Sequence, residues 1–262
     1  MIPEVAGGVP AGDGERRAAS GPTPFARVLS VETRKLLDTR SGMVLTVLLV
    51  VLTLAAVIGR GAVAGPHLDT LVYTAGVPFG TLLPVLGIRS VTGEWSHRTA
   101  LVTFALEPRR HRVQAAKCLS AVVITVSASV LAIVVAVPAT AGAAALQDVP
   151  ADWDVGLPAL AGWTATNVLI VAMGLAAGML LLNAPAAVVI CLASPALLTA
   201  LGRMGPVGET LAGWLDLSAT ARPLAEGAMN GGDAARLAVA VLCWIVLPMA
   251  AGFARVLRKD VQ

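Results

Sequence analysis

The sequence predicts an all-α integral membrane protein with six transmembrane helices, on three observations. Of its 262 residues, 56% are hydrophobic and only 13% charged, with a mean hydropathy of +0.80; a soluble domain averages about 25% charged. Apolar runs near the length of about 20 residues that crosses a hydrocarbon core recur along the whole chain. The basic residues gather in alternate connections, the pattern expected of a multi-pass topology.

Residues 1–23 are rich in Gly and Pro and carry Asp13, Glu15, Arg16 and Arg17 without an apolar stretch. They read as a disordered cytoplasmic tail, not a cleavable signal peptide. Residues 24–262 form a single six-span domain. It opens with PFARVLSVETRKLLDTR, where Phe25, Val28, Leu29 and Leu36 recur at helical spacing and Arg27, Glu32, Arg34, Lys35 and Asp38 cover much of the other side. This predicts an amphipathic helix in the cytoplasmic interface, with Glu32–Lys35 and Arg34–Asp38 pairs along its wet face. An ordinary lead-in to the first span accounts for the same pattern.

The spans follow at 43–58 (extendable to 64), 71–88, 119–146, 157–182, 184–201 and 237–257. The first has the shortest uninterrupted run and ends at Arg60, whose side chain snorkels to the outer interface; five spans is the alternative. Asn183, Ala184 and Pro185 make a tight cytoplasmic turn between the fourth and fifth spans. The segment 202–236 is external, and its Trp214 and Leu215 suit an interfacial position. It reads as one or two short amphipathic helices capping the outer side.

Between the second and third spans lies a charged insert of some 29 residues, 89–117, far longer than an ordinary helix hairpin. A helix over 94–106 aligns Trp95, Val102 and Leu106, and Pro108 then breaks it and starts a second helix that runs through Gln114 and Lys117 into the third span. Arg109, Arg110 and Arg112 flank the projection, either as anchors for lipid phosphate or as a contact surface. Fifteen of the 19 Lys and Arg residues lie in the N-terminal segment, this insert and the C-terminal tail. Both termini are therefore expected inside. The net charge of +3 then reflects topology and gives no reason to expect nucleic-acid binding.

Chemistry-bearing motifs are few. Cys118, Cys191 and Cys243 fall at or within spans and form no CxxC pair, so neither a disulfide nor a metal site is expected. His67, His97 and His111 sit in loops without an evident partner, and no G-x-x-x-x-G-K-[ST] phosphate loop occurs. Enzymatic activity and a cofactor are therefore not expected in this chain. Within the spans, Thr164 and Asn167 are candidates for pathway lining or helix packing; for Asn167 the alternatives are interhelical hydrogen bonding and substrate contact. Gly174 and Gly178 form a GxxxG that admits a close neighbour, within the chain or across a dimer. No Asp, Glu, Lys or Arg sits clearly mid-span. That disfavours proton coupling and suggests an apolar or amphipathic cargo.

The amphipathic N-terminal helix, the GEW.H.T....F...P.R.R....K insert, the tight fourth-to-fifth turn and the external helical segment together resemble the permease subunit of bacterial type-2 ABC exporters. The resemblance runs over about 25–259 and is carried most sharply by Gly93, Glu94, Thr99, Phe104, Pro108, Arg110 and Lys117. It implies that Glu94, Trp95, Thr99, Phe104, Pro108, Arg109, Arg110 and Arg112 belong to a coupling hairpin docking on a cytosolic ATPase. It implies that Phe25, Val28, Leu29, Glu32 and Lys35 belong to a connecting helix. Two permeases and two ATPase copies would assemble in the bacterial plasma membrane, with ATP and Mg on the ATPase, to export a hydrophobic or amphipathic drug, antibiotic or lipid-like molecule. The rival reading is a non-transporting membrane scaffold or assembly protein.

Overall fold

A computed structural model describes residues 24–96 and 110–258. The helices are α1 (Phe25–Asp38), α2 (Arg40–Val63), α3 (Leu68–Ser96), α4 (Arg110–Gln147), α5 (Leu157–Leu181), α6 (Ala184–Gly202), α7 (Pro206–Leu215), α8 (Leu217–Ala225), α9 (Gly231–Val241) and α10 (Leu247–Arg258). A π-helical turn over Leu242–Val246 joins α9 to α10.

Six helical segments are long and apolar enough to cross a membrane: Arg40–Val63, Leu68–Gly93, His111–Gln147, Leu157–Leu181, Ala184–Gly202 and Gly231–Arg255. The first runs for 24 residues, about 36 Å at 1.5 Å per residue, long enough to cross and longer than its uninterrupted apolar run. Its Met43, Val44, Val47, Val51 and Ile58 are exposed, an arrangement suited to hydrocarbon and not to water. The sixth crossing begins six residues before the apolar run at 237, because Asn230 and Asp233 form a capping box that starts α9 early. With six such segments, α1 and the end of α10 lie on one face, here called the terminal face.

α3 and α5 form the centre. Gly174 and Gly178 of α5 meet α3 directly: a Cβ at 174 would stand 2.7 Å from Pro84 Cα, and one at 178 would stand 3.1 Å from Ile88 Cα. Phe79 of α3 stacks on Trp163 of α5 with ring centroids 5.6 Å apart. The GxxxG therefore serves a seam within the chain.

α4, at 38 residues, is about 57 Å long against a hydrocarbon core of about 30 Å. Its far end is level with the end of α2, where Gln147 Nε2 donates to the carbonyls of Gly61 at 2.7 Å and Ala64 at 3.1 Å. The excess length therefore projects from the terminal face. Leu182 in the left-handed region and Asn183, whose side chain accepts from Ala186 N–H, close the short turn from α5 to α6.

The segment after α6 corrects the expectation of an external cap. α7 and α8 are two short helices, but they turn inward as a re-entrant hairpin. α8 runs antiparallel to α5: Gly162 lies against Leu224, Thr166 Oγ1 donates to Ala221 O at 3.4 Å, and Ile170 shares a cavity with Asp216 at the start of α8. The turn is held by hydrogen bonds to its backbone. Leu215 O accepts from Trp244 Nε1 at 2.7 Å, and Asp216 Oδ1 accepts from Ser218 and Ala219 N–H. Irregular backbone survives at this depth only when protein satisfies it. Trp214 and Leu215 thus stand beside a deep turn and not at an interface.

Candidate functional site

The charged residues of the terminal face converge where α1 packs on the start of α4. Glu32 is buried, not on a wet face: one carboxylate oxygen meets Lys35 Nζ at 2.7 Å and the other meets Lys117 Nζ at 2.7 Å. The Glu32 and Lys117 side chains are 6% and 3% exposed, so this pair is enclosed by protein, whereas Lys35 at 41% reaches solvent. Along α1, Phe25 is exposed while Val28 and Leu29 are half-buried. α2 is tied to the same region, since Arg89 of α3 donates to Ser41 Oγ in its first turn. Gln114, one turn before Lys117, is also buried, and its Oε1 has no hydrogen-bond partner among the described residues.

Of the expected coupling residues, the backbone places Glu94 and Trp95 in the last turn of α3 and Arg110 at the first position of α4. Arg112 is half-buried in the first turn of α4. Thr99, Phe104, Pro108 and Arg109 lie outside the described residues, as do residues 1–23. α3 thus ends, and α4 begins, on the face that carries α1.

Inside the bundle the pathway candidates separate. Asn167 is buried and its Nδ2 donates to Ser129 Oγ of α4 at 3.1 Å. Thr164 returns its hydroxyl to Leu160 O and borders an open apolar cleft of about 650 Å³ with Val126, Val168, Leu237 and Val241. The cleft is sized for a small organic molecule. Gly174 and Gly178 are held in the α3–α5 seam and do not line it.

Two histidine expectations are corrected. His67 has a partner: Nδ1 lies 2.9 Å from Asp152 Oδ2, and the flanking backbones pair through Leu68 N–H to Asp152 O and Asp152 N–H to Pro66 O. The N–H of Asp154, and then the His67 side chain, hold the Asp152 carboxyl below its ordinary pKa. His111 lies in the first turn of α4 and not in a loop. His97 lies outside the described residues.

Two residues were not found from sequence as site members. Lys117 was visible as part of a motif, but its pairing with Glu32 spans 85 positions; the only available signal was a lone Lys at the entrance of an apolar run. Asp216 was assigned to the outside, and an Asp followed by Ser and Ala is only a helix-cap signal. No protein-family model matches the chain, and no curated protein matches its sequence.

Proposed function

We propose that this chain is the membrane-spanning permease subunit of a bacterial ABC exporter, driven by a separate cytosolic ATPase that supplies the ATP and Mg chemistry. In this reading the terminal face is cytoplasmic, two permease copies assemble with two ATPase copies, and the insert between α3 and α4 is the docking element. The observation that carries the reading is the buried Glu32–Lys117 pair. It fastens the amphipathic α1 to the overhang of α4, so a push delivered to the insert moves the surface helix and a transmembrane helix as one body. A membrane anchor alone needs no such joint, because a lipid-facing basic helix works through its own charges.

The cargo is hydrophobic or amphipathic. Supporting this, the apolar cleft beside Thr164 opens within the span region and is bordered by Val126, Val168, Leu237 and Val241. The test is to make Glu94→Ala and Arg110→Glu in cells that express the complex. Dye or drug efflux is expected to fall at unchanged membrane abundance while ATP hydrolysis by the purified complex persists. Unchanged efflux in both variants would contradict the docking assignment.

A further inference from the structure

The re-entrant hairpin brings a carboxylate to the middle of the bundle. Asp216 is 8% exposed and borders a largely enclosed cavity of about 60 Å³ with Gly80, Pro84, Ser194, Ser218 and Trp244. Gly80, Ser194 and Trp244, and also Ile170 on the same cavity, each lie within one residue of the midpoint of their own crossing. Four helices therefore report the same depth independently. Asp216 is thus level with the midpoints of four crossings.

The surroundings are those of a small cation. Oδ1 of Asp216 is committed to the N–H groups of Ser218 and Ala219, while Oδ2 takes no hydrogen bond among the described residues. None of the residues lining the cavity is Lys, Arg or His, although an ionised side chain at this depth is costly and is normally paired. Neutral oxygens stand nearby. Ser194 and Ser218 line the cavity, and Ser194, whose hydroxyl donates to Cys191 O at 3.1 Å, keeps its oxygen lone pairs to offer. Pro84 has no N–H to give the carbonyl of Gly80, and both residues line the cavity. Broken helices that combine a carboxylate, hydroxyls and released carbonyls at mid-membrane suit a monovalent ion. The volume holds a few waters or one ion with part of its hydration shell, and it is far below the roughly 300 Å³ at which drug-sized pockets begin.

We propose that this cavity binds one monovalent metal cation, sodium or potassium, against the free oxygen of Asp216. A single positive charge balances the single carboxylate; a divalent ion would leave an excess charge in the bilayer. The site rests on the cavity and the hairpin, independently of the exporter reading.

The experiment measures thermal unfolding of the purified full-length protein in lipid nanodiscs. Sodium or potassium chloride is exchanged for choline chloride at constant ionic strength, and ²²Na⁺ binding is measured in parallel. Tm is expected to rise with one or both metal ions and to saturate, with one displaceable ion per chain. Asp216→Asn retains a competent helix cap and is expected to abolish both effects. Ser194→Ala, which leaves the carboxylate and the hairpin in place, is expected to weaken the apparent affinity several-fold. Equal Tm in choline, sodium and potassium with no ²²Na⁺ retained by the unaltered protein would overturn the proposal. Stabilisation by acid alone would overturn it too, since a proton then suffices, as would full ion dependence in Asp216→Asn.

Discussion

Glu32 and Lys117 form a buried ion pair, 2.7 Å from oxygen to nitrogen, between helices whose contacting residues are 85 positions apart. Because both side chains are enclosed, the pair is sensitive to the loss of one partner, far more than an exposed bridge is. Glu32→Gln removes the carboxylate that Lys117 faces, and Lys117→Met removes the cation. Each single change is expected to destabilise by about 3 kcal/mol. The double variant is expected to lose less than the sum of the two, as coupled neighbours do. Thermal unfolding in detergent, run as a double-mutant cycle, reads this directly; additive losses would show that the pair is not coupled.

The α3–α5 seam makes a graded prediction. Gly174→Ala places a methyl group against the backbone of Pro84, which cannot move aside, whereas the nearest atom to a methyl at 178 is the tip of Val91. Gly174→Ala is therefore expected to cost about 1–3 kcal/mol, and Gly178→Ala less. Unfolding midpoints of the two variants give the order.

The pair at the opposite face sets an acid dependence. The folded pKa of Asp152 is depressed by the Asp154 N–H and by His67, so its contribution is complete above the ordinary carboxylate value near 4. It is lost as pH falls through the lower folded value. Hydrogen exchange over 66–68 and 152–155, followed from pH 6 to 3, is expected to lose protection at the acid end. Asp152→Asn is expected to flatten that limb.

Cleft and core are distinguishable by their readouts. Thr164→Trp fills the space beside Val168 and Leu237 and is expected to reduce export with little change in Tm. Asn167→Ala strips Ser129 of its hydrogen-bond donor and is expected to cost about 1 kcal/mol, with a smaller effect on transport. The reverse assignment of effects would place the pathway along α4 and α5 at Asn167.

The crossings were legible because each is a run of apolar residues, a local property that does not depend on what it packs against. The turn at Asn183 was legible for the same reason, since an Asn followed by Ala-Pro carries its own cap signal. Glu32 was misplaced although it stands seven residues after Phe25 and three after Leu29, on the same face of the helix; its charge read as solvated because nothing local announces a second helix arriving on that side with Lys117. Asp216 was misplaced because a hairpin of two short helices, ten and nine residues long, has too little apolar length to register as membrane-embedded. What admits it is tertiary: Gly162 on α5 leaves room for the backbone of Leu224, and Trp244 supplies the donor that satisfies Leu215.

The most direct test of the account is to purify the protein from its native membrane in mild detergent and identify by mass spectrometry what accompanies it, with residues 94–112 intact or replaced by a Gly/Ser linker. A P-loop ATPase in equal amount, lost with the linker while the membrane protein itself is recovered folded, is the predicted result. Recovery at equal yield with no ATPase in either preparation would contradict the account and leave a membrane scaffold as the better reading.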